Sequence, residues 1–192
     1  MQPFQKNLLG HRMELYLNAR KSEPDLRVQD KVNEIQNLIK QNKRPVNLKQ
    51  GKSKNSYFRV IFHGPAGNGK KLAAVLLGKE SGKEVFRIDS SKLVSRYIGE
   101  TEKNLSEIMD NAQQNDGILF FDEADALFGK RTQITDSNDR YANQILSHVR
   151  QIIEDYDGMI ILSCTSLADM DKAMIRSFDK AIPFLHKKTQ KL

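Results

Sequence analysis

Apolar positions along this chain recur with two different periods, and the switches between them mark out its elements. Residues 1–22 are mostly polar with scattered apolar positions (Leu8, Leu9, Met13, Leu15, Leu17), and they read as a partly helical lead-in interrupted by Pro24. From Leu26 to Ile39 the residues Leu26, Val28, Val32, Ile35, Leu38 and Ile39 fall on one face of a helix. Gln41 to Ser56 is polar and basic, contains Pro45 and Gly51, and reads as a linker or loop. Beyond it, the pattern predicts strands over Phe58–Phe62, Glu84–Asp89, Ile118–Phe121, Met159–Ser163 and Ile182–Phe184. Helices are predicted over Lys70–Lys79, Thr101–Asn115, Asp139–Tyr156 and Asp171–Phe178, with Leu93 and Val94 in a short turn or helix.

Two of these strands, Ile118-Leu119-Phe120-Phe121 and Met159-Ile160-Ile161-Leu162, are continuously apolar, as strands covered on both faces are. Strands alternating with helices then predict an α/β fold, a three-layer parallel sheet with helices on both faces. The expected organisation is a basic leader and linker over 1–56, a nucleotide-binding core over 57–186 and a short basic tail over 187–192.

Charge sharpens that division. The formal net charge is +7, and residues 1–56 carry 12 basic against 5 acidic side chains, which accounts for all of it. The leader could touch nucleic acid or an acidic partner, or be a solvated helical arm. No aromatic residues sit among its lysines in a base-stacking pattern, so nucleic acid ranks last among the partners considered. The apolar runs are too short to cross a bilayer, the N-terminus has no long apolar stretch of a secretory signal, and the one cysteine, Cys164, suits a reducing compartment. A cytoplasmic protein without membrane contact is expected.

Candidate chemistry begins at Gly64-Pro65-Ala66-Gly67-Asn68-Gly69-Lys70-Lys71. This run follows the pattern of a phosphate-cradling loop, GxxxxGK[ST], at every position but the last. It lies between a strand and a helix, where glycines let backbone N–H groups turn inward and Lys70 reaches the outer phosphates. Leu72 is counted with the loop as a nucleotide-binding position. The position that ordinarily brings a hydroxyl to Mg²⁺ is Lys71, which has none. Its ammonium could take the place of the metal between the outer phosphates, or it could point to solvent and leave the site crippled. A second site is Asp122-Glu123, which ends an apolar strand at the sheet edge where ligands of open α/β sheets sit. Asp122 would hold Mg²⁺ and Glu123 would orient and deprotonate an attacking water.

Taken together, these residues resemble the AAA ATPases, a branch of the P-loop NTPases, from about Phe58 to Phe184. The run Phe121-Asp122-Glu123-Ala124-Asp125-Ala126-Leu127-Phe128-Gly129-Lys130-Arg131 carries the likeness, and Asp139-Arg140-Tyr141-Ala142-Asn143-Gln144 is similar to bacterial members often encoded beside phage-tail-like contractile injection systems. The resemblance implies ATP as ligand with Mg²⁺, a homo- or hetero-oligomeric ring and a protein substrate. It implies that Tyr97, Ile98 and Gly99 form the pore loop that grips the substrate. Ser166 falls where an asparagine usually senses the γ-phosphate, and Arg176 where trans-acting arginines lie, with Ser177 in place of a second one. The family's C-terminal helical lid has no counterpart in the residues after Phe184.

Two functional classes follow: an ATP-hydrolysing remodelling module with weak turnover, or a nucleotide-binding pseudo-ATPase that acts as an interaction or regulatory subunit. Retained Lys70, Glu123 and Tyr97-Ile98-Gly99 favour the first; Lys71, Ser166 and Ser177 favour the second.

Overall fold

The computed structural model describes residues 10–12, 26–41, 58–94, 98–129 and 137–185. In chain order these form β1 (Gly10–Arg12), α1 (Leu26–Gln41), β2 (Arg59–His63), α2 (Lys70–Ser81), β3 (Val85–Asp89), α3 (Ser90–Val94), α4 (Ile98–Gln114), β4 (Ile118–Asp122), α5 (Asp125–Phe128), α6 (Ser137–Asp155), β5 (Met159–Cys164), a 3₁₀ turn (Leu167–Asp169), α7 (Lys172–Arg176) and β6 (Lys180–Pro183). The strands make one sheet in the order β1-β3-β4-β5-β2-β6.

Five of these strands are parallel, as alternation with helices requires, and β1 adds an antiparallel edge by pairing Gly10–Arg12 with Phe86–Ile88. The lead-in expected to be partly helical therefore supplies a strand. Its pairing is made by backbone groups along the open edge of β3 and leaves no apolar period to read. Two short helical pieces, α5 and the 3₁₀ turn, also lie in stretches too brief for any period. The last helix is shorter than expected: Asp171 caps it by accepting a hydrogen bond from Met174 N at 3.0 Å, and it stops at Arg176.

The central strands β4 and β5 are buried at every position. Alternate side chains serve opposite faces, as the two-residue period dictates. Ile118 and Phe120 join Val60, Phe62 and Ile161 under α1 and α2, while Leu119 and Phe121 join Ile61, Ile160 and Leu162 under α4 and α6. Helix α1 contributes Val28, Val32 and Ile35 to the first of these cores, with Val32 and Ile35 fully buried. A polar clamp reinforces the contact. Gln29 and Gln36, two turns apart on α1, donate to the two carboxylate oxygens of Glu80 on α2 at 2.7 and 2.5 Å.

The order also creates the place for a ligand. β2 lies beside β5, yet the next strand along the chain, β3, pairs beyond β4. The C-terminal ends of β2, β4 and β5 thus face a common edge at a switch in strand order, the position where ligands bind in open α/β sheets.

Replacing Ile35 with alanine tests whether α1 is part of the cooperative core. A loss of about 2–4 kcal/mol is expected for deleting a fully buried isoleucine side chain, read as a lower urea midpoint with an unchanged slope. A midpoint within error of the parent would mean that α1 contributes nothing to the unfolding unit.

Candidate functional site

The chain leaves β2 through Gly64, whose φ of 144° lies in the region that favours glycine and whose missing Cβ would collide with the carbonyl of Phe184. Gly64 N donates to Cys164 O at 3.2 Å, which ties the turn to the end of β5. The loop closes at Gly69, with φ 84°, where a side chain would strike Val28 of α1. Both glycines are thus demanded by close approach as well as by dihedral angle.

Gly69 is the N-cap of α2, and no side chain caps that end. The first-turn amides of Lys70, Lys71 and Leu72 are left for an external acceptor, at the end of the helix that favours negative charge. Lys70 Nζ donates to two carbonyls of its own loop, Gly64 O and, at 2.9 Å, Pro65 O. Burial, followed by repulsion from Lys71, lowers its pKa, with Cys164, Asp125 and Asp122 pulling the other way. Burial and the adjacent Lys70 also lower the pKa of His63, at the end of β2.

A cavity of about 330 Å³ opens in front of this helix end. It is lined by Gly67, Gly69, Lys70 and Lys71 of the loop and the first turn of α2, by Asp122, Glu123 and Asp125 from the end of β4 to the start of α5, and by Cys164 and Thr165 at the end of β5. Nearly all of the residues expected from the glycine loop and the paired acids are therefore brought together. Gly64 and Pro65 lie at the loop's base, where their carbonyls hold Lys70.

Asp122 lines the cavity, and its side chain is only 5% exposed. Its Oδ2 accepts from Arg87 Nε at 2.9 Å, from Arg87 Nη2 at 2.6 Å and from Lys71 Nζ at 2.7 Å. Arg87 reaches on toward Asp89 at 3.6 Å, and Asp89 pairs with Lys92 at 3.2 Å. Burial alone would raise the pKa of Asp89, but a hydrogen bond from Ser91 and the charges of Lys92 and Arg87 hold it below the usual range. Arg87 was not among the residues singled out from sequence, although an arginine between the apolar residues Phe86 and Ile88 of a strand was a readable sign.

Glu123, the residue after β4, is exposed and has φ 53°. A non-glycine residue in this conformation costs about 1–3 kcal/mol and persists where surrounding structure imposes it, often at functional sites. Here the fixed β4 end and the bond from Ala124 N to Ser163 O at 2.8 Å impose it.

Ser166 and Arg176 lie away from the cavity lining. The Ser166 hydroxyl accepts from Ala168 N at 3.2 Å and caps the 3₁₀ turn, while its neighbour Thr165 faces the cavity. Arg176 is exposed at the end of α7, beside Ser177, whose hydroxyl donates to Met174 O at 2.8 Å. Tyr97 lies outside the described residues, and Ile98 and Gly99 begin the backbone of α4.

A second hollow of about 180 Å³ adjoins the first and shares Gly67, Asn68, Gly69 and Leu72 with it. Its other side is built from Arg27, Val28 and Lys31 of α1 and from Phe184 and Leu185 after β6. Asn68 Nδ2 donates to Phe184 O at 2.7 Å and pins the loop to that strand end. Sequence reasoning missed this hollow because its walls come from segments more than 150 residues apart.

Mg²⁺, the metal such a loop ordinarily employs, demands oxygen ligands in octahedral array. The residues present do not fit it. Position 71 offers only N–H donors, and the carboxylate oxygen that would complete the site already accepts from two cations.

Two outcomes follow from these contacts. Asp122→Ala removes the carboxylate that Arg87 and Lys71 share, and a loss of about 2 kcal/mol is expected, below the ~3–5 kcal/mol of a fully buried pair because both cations keep solvent contact and Arg87 keeps Asp89. Chemical denaturation measures it, and Asp122→Asn, which keeps an acceptor oxygen, loses less. The second concerns Cys164, whose thiol is pushed up to about 12 by burial and then by Asp125. The folded thiol keeps a proton that the unfolded one loses from about pH 9, so its contribution to stability is intact below that pH and declines as pH rises toward 12. Stability measured between these limits should fall less steeply in Cys164→Ala than in the parent.

Comparison with known proteins agrees with the geometry. The profile of the ATPase family associated with various cellular activities (AAA) matches residues 60–185. The chain is 31% identical over 147 residues to the peroxisomal ATPase PEX6 of Saccharomyces cerevisiae, covering 73% of this chain and 14% of that protein. It is 33% identical over 127 residues to vacuolar protein sorting-associated protein 4B of Pongo abelii, covering 64% and 29%. It is 32% identical over 128 residues to the uncharacterized AAA family ATPase y4kL of Sinorhizobium fredii, covering 66% and 38%. The chain thus spans well under half the length of these relatives. Among solved structures, the FIGL-1 AAA domain superposes with a TM-score of 0.56 at 21% identity, over 66% of this chain and 42% of that one, a likeness of fold. With the family profile matched over residues 60–185, about two thirds of its length, the chain belongs to the AAA ATPase family.

Proposed function

We propose that this chain binds ATP in the two adjoining hollows, with the polyphosphate on the first-turn amides of α2 and the adenine between α1 and the Phe184–Leu185 segment. The observation that carries this reading is the joining of the hollows along Gly67, Asn68 and Gly69, which lets one ligand touch both. Lys70 exchanges its loop carbonyls for phosphate oxygens. Arg27, Lys31 and Lys71 add positive charge around a polyanion, and Val28 and Leu72 give the base an apolar surface.

Hydrolysis, the activity of the family, is slow in this chain. Glu123 orients the water from its exposed position on the cavity wall. The Ser166 hydroxyl, which would face the γ-phosphate, is engaged in capping the 3₁₀ turn. Arg176 stands on the surface as the trans-acting arginine of an assembly, with Ser177 where a second would stand. Loss of one such arginine costs roughly 10³–10⁵ in rate. Assembly into a ring, alone or with an intact relative, and remodelling of a protein substrate gripped by Tyr97, Ile98 and Gly99 complete the reading. In that scheme residues 1–56 serve as leader, 57–186 as nucleotide core and 187–192 as tail. The Asp139–Gln144 segment supports kinship with bacterial members encoded beside contractile injection systems. No described helix is long and apolar enough to cross a membrane, and the free thiol of Cys164 accords with a reducing, cytoplasmic setting.

A second reading is favoured by the Lys71–Asp122 pair: a pseudo-ATPase subunit in which nucleotide sets assembly without turnover.

Thermal unfolding with ATP or ADP tests the binding site. At roughly 100 times the dissociation constant, linkage supplies about 2.7 kcal/mol, a rise of about 5–11 °C for a domain of this size. Lys70→Ala should reduce that rise, and no rise at millimolar nucleotide would sink the site. Phosphate release separates the two readings: slow turnover abolished by Glu123→Gln, with binding retained, supports the enzyme, and none in either protein supports the regulatory subunit.

A further inference from the structure

The ion pair between Lys71 and Asp122 stands where a phosphate-binding loop ordinarily hands the outer phosphates to a metal. Lys71 Nζ is 2.7 Å from Asp122 Oδ2, its side chain is 36% exposed, and it lines the same cavity wall as Lys70. An ammonium has three donors and no acceptor. Among the described residues one donor of Lys71 goes to Asp122, which leaves two that a phosphate oxygen can accept. The same carboxylate oxygen also accepts twice from Arg87, so the anchor point is held by two cations. A divalent ion arriving there would have to displace Lys71 and then remain beside its charge, without a hydroxyl ligand from position 71.

We propose that the Lys71 ammonium, anchored on Asp122, is a built-in substitute for the divalent cation, so that this chain takes up free nucleoside polyphosphate in preference to its Mg²⁺ complex. This rests on the nucleotide site proposed above. Binding then requires no divalent ion, and excess Mg²⁺ weakens it by sequestering the free polyphosphate. A single-charge ammonium neutralises less of the polyphosphate than Mg²⁺ does. The neighbouring Lys70 and the first-turn amides of α2 make up part of the difference, all on one wall.

Calorimetric titration of ATP into the full chain, once in EDTA and once in excess Mg²⁺, tests the proposal. The affinity in EDTA should exceed that in excess Mg²⁺, and equal affinities would overturn the preference. In Lys71→Thr the affinity in EDTA should drop roughly tenfold to a hundredfold, the range expected for a hydrogen bond to a charged group, and Mg²⁺ should restore it. Lys71→Met should show the same drop without rescue by Mg²⁺, and matched circular dichroism spectra confirm that both variants are folded. Binding by the parent that requires Mg²⁺, or an unchanged EDTA affinity in Lys71→Thr, overturns the substitution while leaving the nucleotide site standing. Heat in neither buffer overturns both.

Discussion

A carboxylate buried at the end of a central strand must be neutralised, and most of the site's organisation follows from how Asp122 meets that requirement. An isolated ionised carboxylate in such a place costs far more than any one contact can return. Arg87 and Lys71 approach the same oxygen from two sides, one from the neighbouring strand β3 and one from the first turn of α2. The strand order makes this possible, because β3 and β4 are paired in register and Asp89 lies directly beside Asp122. The arginine two residues earlier on β3 then lies between the two acids. The resulting chain of charges links the end of β4 to the first turn of α2. The ion cluster and the phosphate cup are therefore one structure, and α2 cannot shift without disturbing Asp122.

Much of this was legible in the sequence, for reasons that differ by element. β4 and β5 announced themselves because strands buried on both faces must be apolar throughout. α1 was legible because only one face is buried, which imposes the helical period on Val28, Val32 and Ile35. The loop was legible because close approach to Phe184 and Val28 excludes side chains at Gly64 and Gly69. β1 was not, since a strand of three residues held through its backbone at a sheet edge leaves no pattern. The meaning of Lys71 was left open between a cation that replaces the metal and one lost to solvent. Sequence order cannot say that a carboxylate 51 positions later lies 2.7 Å away. The hollow under α1 was equally hidden, because it is made by packing three distant segments.

The position of α1 ties the rim of the smaller hollow to the core of the fold. Val28 lines the smaller hollow and fills the space beside Gly69, while Val32 and Ile35, farther along the same helix, lie fully in the core. Glu80 holds the two helices together near the opposite end of α2. A ligand occupying both hollows would touch α1, the phosphate loop and the segment after β6 at once. Among the described contacts, these elements meet at the Val28–Gly69 approach, the bond from Asn68 to Phe184 and the fit of Gly64 against the same carbonyl. A ligand there would bear on the placement of α1 and the Phe184–Leu185 segment more than on the sheet, whose strands, β6 included, are paired in register.

Under the proposed function, binding and turnover draw on different parts of this chain. Binding uses backbone amides and cations that the local fold holds whether or not ligand is present: the uncapped end of α2, Lys70 on its carbonyls and Lys71 on Asp122. Turnover needs groups aimed at a charge that develops only in the transition state. Of these, Glu123 is placed on the cavity wall by a left-handed turn, whereas the Ser166 hydroxyl is spent on a cap and Arg176 lies on the surface. A site can lose the second set and keep the first, because the first is maintained by folding itself. Gly64 and Gly69 are required by packing and Asp122 by charge balance in the folded chain, so the cup is maintained for structural reasons, independently of any chemistry carried out in it.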